Sequence, residues 1–231
     1  MTRYIKLFET ETNRQTYERS VNYQEPYSSG VIETQSAYYE VSKECVRLNY
    51  ITATSGRIYL GITPKTANID CEMKFKHTTT TKQQRFIGGP CTNSNYNSYD
   101  VYVNGSSYYA YSFGTKYRWV STGKGLNSSQ LLLQIDLSTH YLGSRQIKIS
   151  TVSGTSIYSA ALTSIDNTSY ANDAGKSELY IDYKTLYYLK LWEGGVLVRD
   201  FVPVRLYDTI GLLDLVTNQF RVPASGTWTG A

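Results

Sequence analysis

Histidine, cysteine and methionine are scarce in this 231-residue chain, which contains two histidines, three cysteines and two methionines. The cysteines Cys45, Cys71 and Cys91 are odd in number and far apart, so their spacing does not predict a disulfide framework. No CxxC pair occurs, which leaves a zinc site without the ligand spacing that it needs. We expect the cysteines to be buried as small apolar side chains, and we predict neither a metal nor a cofactor.

The chain also lacks a large excess of one charge sign and long apolar runs. The net charge is +4 and no run of five or more basic residues occurs, whereas nucleic-acid binding needs a basic stripe or patch, so we expect no nucleic-acid partner. No stretch approaches 18 consecutive apolar residues, and no membrane span is predicted. The first six residues contain no apolar segment of the kind a secretory signal needs, so we expect no signal peptide.

The side chains and motifs that usually perform catalysis are few. His77 and His140 each lie in a Thr/Ser-rich, loop-like context, and we expect both to be surface residues. No GxSxG, HExxH, Walker or GxGxxG motif occurs. A serine or cysteine nucleophile without a nearby base is weak, so these absences predict a protein that is not an enzyme.

The sequence does contain many segments that are typical of short strands. It also has 23 tyrosines, a residue type that suits half-buried strand positions. The segment 69–76 alternates apolar and polar residues without a break, and Asn104-Gly105 separates two further alternating runs as a hairpin turn does. About twelve strands with turn residues at regular spacing predict an all-β sandwich or jelly roll. The other predicted strands are Ile58–Ile62, a strand that ends in a turn over Arg85–Pro90, Leu131–Leu137, Gln146–Val152, Ser156–Leu162, Leu179–Tyr183, Tyr187–Trp192, Val196–Phe201, Ile210–Val216 and Phe220–Val222, with a turn at Glu193-Gly194-Gly195.

Carboxylate pairs deserve a separate test, because sandwich folds can host glycoside hydrolysis, which needs two carboxylates about 5 to 9 Å apart. Asp70 and Glu72 share a strand face, but no third acid follows them, and we expect that face to be solvated. Glu178 and Asp182 would lie about 13 Å apart along a strand, which is too far. Neither pair predicts a glycosidase.

Residues 1–44 differ from the rest of the chain. Thr10 is a possible cap of a short helix over 9–20, Ser29-Gly30 is a predicted turn, and 31–41 alternates as a strand. A segment this small cannot bury its own core, so we predict that it anchors the protein or forms oligomers. The apolar and aromatic candidates for that contact are Phe8, Tyr23, Pro26 and Tyr27.

The C-terminal third carries a resemblance to a known family. The run Tyr187–Arg205, which reads YYLKLWEGGVLVRDFVPVR, and the run Gly211–Phe220, which reads GLLDLVTNQF, resemble the end motifs of laminin-G/concanavalin-like domains in phage structural proteins. Leu213 stands where that family usually has Tyr or Met, and Asn49–Ile62 is similar to its opening strands. The resemblance covers 45–231 and implies a concanavalin-like jelly roll.

Two local expectations accompany this motif. Pro203 cannot donate to a strand ladder, so we expect it at an edge or a bulge. We expect Arg199 and Asp200 to be structural residues that fix the neighbouring turn.

The N-terminal residues Tyr4–Thr10 and Glu25–Tyr27 are similar to the N-termini of structural proteins in tailed phages of gut bacteria, including crAss-like phages. This resemblance implies a head or tail fibre or decoration subunit that is located in the virion. It also implies a homotrimer and partners among other virion proteins, such as a capsid, tail or second fibre subunit.

A tyrosine-rich hairpin is the best place in the sequence to seek adhesion to host-surface glycans. Sugar binding needs aromatic faces with polar groups beside them. The candidates for stacking on a glycan are Tyr99, Tyr102, Tyr108, Tyr109 and Tyr111. The alternative is that these side chains pack across the sheet as a half-buried strand pair.

Two other functions compete with a virion subunit. A bacterial carbohydrate-binding module or surface lectin would fit the same fold, but it predicts a secretion signal and a dispensable N-terminal segment. A glycosidase is disfavoured by the missing acid pair. The sequence does not choose between head and tail or name the anchoring partner.

Overall fold

A computed structural model describes ten segments of the chain. They are 45–53, 55–63, 69–77, 85–89, 98–104, 108–114, 117–125, 129–162, 178–182 and 184–231. These residues contain no helix, so the all-β prediction is confirmed for them. No helix in these segments is long and apolar enough to cross a membrane.

Seventeen strands occur in the described segments. They are β1 (Cys45–Arg47), β2 (Ile51–Ala53), β3 (Arg57–Tyr59), β4 (Ile69–Lys76), β5 (Arg85–Gly88), β6 (Ser98–Asn104), β7 (Tyr108–Gly114), β8 (Tyr117–Gly125), β9 (Leu131–Asp136), β10 (Gln146–Thr151), β11 (Ser156–Ala161), β12 (Tyr180–Asp182), β13 (Thr185–Glu193), β14 (Val196–Leu206), β15 (Thr209–Asp214), β16 (Gln219–Arg221) and β17 (Trp228–Gly230).

The strands form two antiparallel sheets. Eleven of the described strands form the larger sheet, whose main path is β11-β10-β9-β4-β13-β14-β15-β16; β1 adds to β14, and β2 joins β13 to β17. The smaller sheet has six described strands in the order β3-β12-β5-β6-β7-β8. In the smaller sheet, β12 lies between β3 and β5, which are far from it in the sequence. This crossover assembles the surface considered below.

One hydrophobic core lies between the sheets, as in a β-sandwich. The predicted alternation of β4 is confirmed, because Ile69, Cys71, Met73 and Phe75 are all fully buried in that core. Burying an apolar side chain of this size contributes about 1.5 to 3 kcal/mol. The core also contains inward-facing residues of the smaller sheet, including Ile58, Val101, Val103 and Ile181. Cys45 and Cys71 are buried and unpaired, as expected, whereas Cys91 lies outside the described residues.

The turns follow the glycine signals. Gly194 and Gly195 form the predicted two-residue turn between β13 and β14, and both have positive φ angles, 57° and 81°. Two positive φ angles match the right-handed twist of a hairpin and favour glycine. Asn104 pairs with Tyr108 across β6 and β7, so the predicted hairpin is confirmed, although residues 105–107 are outside the described part.

Pro203 is the main correction to the predicted strands. It lies inside β14, where it pairs with Leu212 of β15 on one side. On the other side of β14, its pairing with β13 ends at Phe201, and its pairing with β1 begins at Val204. The Pro203 carbonyl accepts a 2.9 Å bond from Leu48 N–H, so its nitrogen faces the junction between these two partner strands. An interior strand accommodates proline here because the junction needs no N–H donor.

Most predicted strands are confirmed within a few residues, and four strands were missed. The strands β1, β2 and β17 each have three residues, which is too short to show a period. The strand β8 ends in Ser-Thr-Gly-Lys-Gly, a composition that indicates a loop. The predicted helix over 9–20, the strand over 31–41 and the anchor candidates Phe8, Tyr23, Pro26 and Tyr27 all lie outside the described residues.

Gly56 allows the C-terminal segment to approach the turn between β2 and β3, and its replacement by alanine should be costly. Gly56 has φ +94°, and a Cβ there would overlap the Ser225 carbonyl oxygen. We expect Gly56→Ala to lower the free energy of unfolding by about 2 to 3 kcal/mol, measured by chemical denaturation. Gly154→Ala is the matched control, because Gly154 also has φ +94° but has open space around it. Equal losses in the two variants would show that the close approach contributes nothing.

Candidate functional site

Three of the five tyrosines predicted to stack on a glycan face inward. Tyr99, Tyr109 and Tyr111 are 1%, 0% and 2% exposed and belong to the core between the sheets. Tyr99 and Tyr111 both pack against the ring of Phe113. Side chains with no exposed ring face cannot stack on a sugar, so we propose no glycan contact for these three. The packed strand pair that was the alternative describes them better.

The other two tyrosines have different positions. Tyr102 alternates with the inward-facing Val101 and Val103, so it lies on the outer face of the smaller sheet, where it lines a cavity. Tyr108 begins β7, and its side chain is outside the described part. Among the hairpin side chains that the structure describes, Tyr102 alone lines this cavity, and at 1% exposed it offers no ring face for stacking on a sugar.

The cavity on this outer face has a volume of about 120 Å³ and is lined by Arg57, Arg85, Tyr102, Tyr180 and Asp182. These residues come from four adjacent strands, β3, β12, β5 and β6. The register of β12 on β3 places Asp182 opposite Arg57 and Tyr180 opposite Tyr59. Because alternate residues share a face, this register puts charged and aromatic groups side by side.

Arg85 lines the cavity and forms an ion pair with the buried Asp100. Arg85 Nε donates to both carboxylate oxygens of Asp100, at 2.7 and 2.8 Å, and Arg85 Nη1 donates to the Tyr180 hydroxyl. Gly88 provides the space for this pair: a Cβ on Gly88 would overlap Asp100 Oδ1 and lie 2.9 Å from Arg85 Cδ. A charge-assisted pair of this geometry holds the Arg85 guanidinium in one orientation.

Asp182 connects three strands at the rim of the cavity. Its Oδ2 accepts a 3.0 Å bond from the Arg85 backbone N–H, and its Oδ1 lies 3.8 Å from Arg57 Nε. The Arg57 guanidinium carbon lies 4.5 Å from the centroid of the Tyr180 ring, and Tyr59 meets the same ring edge-on at 5.7 Å. A guanidinium stacked on an aromatic face loses freedom before a ligand arrives.

Lys184 lies beneath the cavity with no exposed area. Its Nζ donates to three backbone carbonyls, those of Arg85, Phe86 and Asp182, at 2.9, 3.2 and 2.8 Å. These bonds join β5 to the end of β12. A fully buried lysine is rare unless its charge is compensated, and here carbonyl oxygens surround it.

Burial shifts two pKa values near the cavity toward neutrality. Burial raises the pKa of Asp100 to about 7, although the ion pair with Arg85 opposes the shift. Burial lowers the pKa of Lys184 to about 7, opposed by the nearby Asp182 charge. Both groups are therefore expected to titrate near pH 7 in the folded protein.

These shifts predict a pH dependence of stability with two limbs. The folded pKa of Asp100 is above its ordinary value of 3.8, so the stability from this group is present below about pH 4 and is lost as the pH rises through 7. The folded pKa of Lys184 is below its ordinary value of 10.5, so its contribution is present above about pH 10.5 and is lost as the pH falls through 7. We expect both contributions to be smallest near pH 7.

Melting temperatures at fixed ionic strength test these limbs. Asp100→Asn should gain stability relative to the wild type as the pH rises from 4 to 7, and Lys184→Met should lose stability relative to the wild type from pH 7 to 10. Differences between variant and wild type that stay constant across these windows would contradict the assigned shifts.

A second polar cluster lies at the end of β9. Asp70 Oδ1 accepts bonds from the N–H groups of Leu137 and Ser138, at 2.6 and 2.9 Å, and its Oδ2 accepts from the Ser138 hydroxyl and meets His140 Nδ1 at 3.0 Å. Asp136 accepts from the N–H groups of 140–142. Both carboxylates are fully buried.

Asp70, Asp136 and His140 lie close enough together to share a cation, with ligand atoms within 4.8 Å. Their oxygens already accept bonds from the loop over 137–142, and these bonds explain why two acids are buried there. We therefore assign the cluster a structural role in shaping this loop. The expectation that Asp70 faces solvent is wrong, because Asp70 is fully buried.

Both histidines make structural contacts, but only His77 is less exposed than predicted. His140 packs between Tyr141 and Trp192 and bonds to Asp70. His77 contacts the rings of Phe75, Phe86 and Tyr109, and its Nε2 shares a 2.9 Å hydrogen bond with the Tyr109 hydroxyl. His140 is exposed, as predicted, although it makes these contacts, whereas His77 is partly buried and the expectation that it is a surface residue is wrong.

The remaining charged residues that the sequence singled out are also structural. Glu178 precedes β12 and accepts a bond from Gly61 N–H. Arg199 donates to the Gly61 carbonyl at 2.6 Å and lies 3.5 Å from Asp214, which agrees with its expected structural role. Asp200 lies 3.7 Å from Lys190.

Sequence reasoning missed most of the cavity. Strand alternation marks Asp100 and Tyr102 as sharing a face, and the same holds for Tyr180 and Asp182. No local signal brings these pairs to Arg57 and Arg85, because the strands involved are up to about 125 residues apart and their order is set by the crossover of β12.

The fold and the cavity define the class of this protein as an all-β sandwich with a polar, aromatic cavity on one outer face. Comparison with known proteins adds no family to this description. No protein-family model matches the chain, and no curated protein matches it.

Proposed function

We propose that this protein is a non-enzymatic structural subunit of a phage particle, a head or tail fibre or decoration protein located in the virion. Its sandwich would be a concanavalin-like jelly roll over 45–231 that displays a face to host-surface glycans. Residues 1–44 would attach it to other virion proteins and form a homotrimer.

The proposal rests on the position in the fold of the two sequence runs that resemble the end motifs of phage laminin-G/concanavalin-like domains. The first run, Tyr187–Arg205, lies on the hairpin β13–β14, and the second run, Gly211–Phe220, continues through β15 into β16. Asp214 of the second run accepts a 3.0 Å bond from the Asp200 N–H and a bond from Thr217. The two runs thus form one continuous antiparallel unit with its own polar contacts, which supports the resemblance as one of fold rather than of composition.

A non-enzymatic role has separate support. The buried carboxylates of Asp70 and Asp136 accept hydrogen bonds from loop amides, and that of Asp100 accepts hydrogen bonds from Arg85. Carboxylates held in this way are not arranged around a space for a scissile bond and its water.

The solution mass tests the proposed assembly. Light scattering of the full-length protein should give three times the chain mass of 26.2 kDa. A variant that lacks residues 1–44 should be a monomer that keeps the circular dichroism spectrum of a β protein.

A monomeric full-length protein, or a trimeric truncated one, would contradict assembly through residues 1–44. A monomer that still binds glycans would instead support a carbohydrate-binding module or lectin, which is the competing function.

A further inference from the structure

We propose that the cavity lined by Arg57, Arg85 and Asp182 binds a carboxylate-bearing sugar of an acidic glycan. This site deepens the glycan-adhesion part of the proposed function and rests on it. It lies on the outer face of the smaller sheet and shares only Tyr102 with the hairpin that the sequence suggested.

The exposed charge at the cavity is positive. The side chains of Arg57 and Arg85 are 42% and 24% exposed, whereas those of their partners Asp182 and Asp100 are 13% and 6% exposed. The two acids are therefore less exposed than the guanidinium groups beside them, and Asp182 contributes the only carboxylate among the described lining residues. An approaching ligand meets N–H donors first, and this arrangement favours an anionic group.

Both guanidinium groups retain donors for a ligand. Arg85 uses Nε and Nη1 for Asp100 and Tyr180, and its Nη2 has no hydrogen-bond partner among the described residues. Arg57 Nε is 3.8 Å from Asp182, beyond normal hydrogen-bond length, and the guanidinium also donates a side-chain hydrogen bond to Tyr59, which leaves its other N–H donors for a ligand. A planar fork of N–H donors matches a carboxylate in a bidentate contact.

The neighbouring groups suit a sugar rather than a bare anion. Tyr59 is 37% exposed beside the cavity and offers an aromatic surface to the apolar side of a sugar ring. Asp182 is an acceptor for sugar hydroxyls at the same rim. A volume of about 120 Å³ is well below the 300 to 1,000 Å³ of drug-sized sites, so the cavity fits one terminal group and not a buried oligosaccharide.

The site is also built before a ligand arrives. The Arg85–Asp100 pair, the space at Gly88 and the stacking of Arg57 on Tyr180 fix the two guanidinium groups. Groups that are already ordered lose less entropy on binding.

Calorimetric titration of the full-length protein tests the site with matched probes. Trigalacturonic acid is compared with its methyl ester, and 3′-sialyllactose is compared with its methyl ester; each pair differs in the carboxylate charge. We expect at least one acid to bind about tenfold more tightly than its neutral counterpart, which is the size of one charge-assisted contact.

Variants then locate the binding. Arg57→Ala should weaken binding of the acid about tenfold, and Arg57→Lys should weaken it too, because lysine lacks the fork. Arg57 is 42% exposed and stacks on Tyr180, so we expect its variants to lose only a little stability and to stay folded under the binding conditions. Arg205→Ala, at an exposed arginine of β14 in the other sheet, is the matched control and should bind like the wild type.

Four results would overturn the site. They are equal binding of acid and neutral sugars, binding that survives Arg57→Ala, no binding of either acid, and inorganic sulfate competing as strongly as the sugar at equal ionic strength. Binding that survives Arg57→Ala would leave glycan adhesion intact at another place. The solution mass of the full-length protein is independent of all four results, so failure of this site and failure of the proposed virion subunit can be told apart.

Discussion

Lys184→Ala is expected to lower the free energy of unfolding by about 3 to 5 kcal/mol, one of the two largest effects of a single substitution predicted for this protein. The change removes a charged donor from three carbonyl oxygens and leaves a cavity beside Phe86, whose ring lies 5.6 Å from Nζ. Buried acceptors that lose a charged partner cost more than the bond itself contributes. Urea denaturation followed by tryptophan fluorescence measures the loss.

Two further variants separate charge from volume at this position. Lys184→Met keeps most of the volume and loses the donor, so it should fall between the wild type and Lys184→Ala. Lys190→Ala is the matched control, because Lys190 is 39% exposed and its contact with Asp200 is 3.7 Å; surface pairs of this kind contribute about 0 to 1 kcal/mol. A loss under 1 kcal/mol in Lys184→Ala would show that water replaces the ammonium group.

The lysine bonds also align the candidate site. The Arg85 and Asp182 carbonyls belong to residues whose side chains line the cavity. Any destabilisation of Lys184 variants should therefore be accompanied by weaker sugar binding in the molecules that remain folded. Arg57 variants should show the loss of binding with a much smaller loss of stability, about 1 kcal/mol.

Asp70→Ala is expected to lower the free energy of unfolding by a similar amount, about 3 to 5 kcal/mol. The substitution leaves two buried backbone N–H groups, those of Leu137 and Ser138, without their acceptor. It also removes the partner of His140, which packs on Trp192. Hydrogen exchange should become faster at the amides of 137–142 than at those of β4, because the loop loses its acceptor while the strand keeps its core contacts.

Asp70→Asn provides the graded comparison, since its amide oxygen can still accept the two backbone bonds, and we expect about half the loss. Asp208→Ala is the surface control, because Asp208 lies exposed in the turn between β14 and β15, and a change within about 0.5 kcal/mol is expected. Identical stabilities of Asp70→Ala and Asp208→Ala would mean that the loop does not depend on the buried carboxylate.

Strand positions with a clear period could be predicted from the sequence. The alternation over Ile69–Lys76 identified both the strand and its buried face, and the glycines at 194 and 195 identified a turn. In both cases neighbouring residues carry the whole signal. Strands of three residues, such as β2 and β17, escaped because their existence depends on pairing with distant partners.

Polar residues were the hardest to predict. Asp70 was expected to face solvent, and lysine is a residue type that is seldom fully buried, yet both Asp70 and Lys184 are fully buried. Each is buried because its hydrogen-bond partners are distant in the sequence. Asp70 accepts from loop amides 67 and 68 residues away, and Lys184 donates to carbonyls of β5 about 100 residues away. Tyrosine is ambiguous for a related reason, since it suits both the core, as at Tyr109, and an outer face, as at Tyr102.

The sequence by itself determined that this protein is all-β, where its longer strands and hairpins lie and which face of β4 is buried, because periodicity and turn chemistry act between near neighbours. Only the tertiary structure decided that β12 lies between β3 and β5, that the tyrosine hairpin turns most of its rings inward, and that two arginines meet two acids around a cavity. These facts depend on sheet order and strand register, which pair residues far apart in the chain, and no local pattern encodes such pairs.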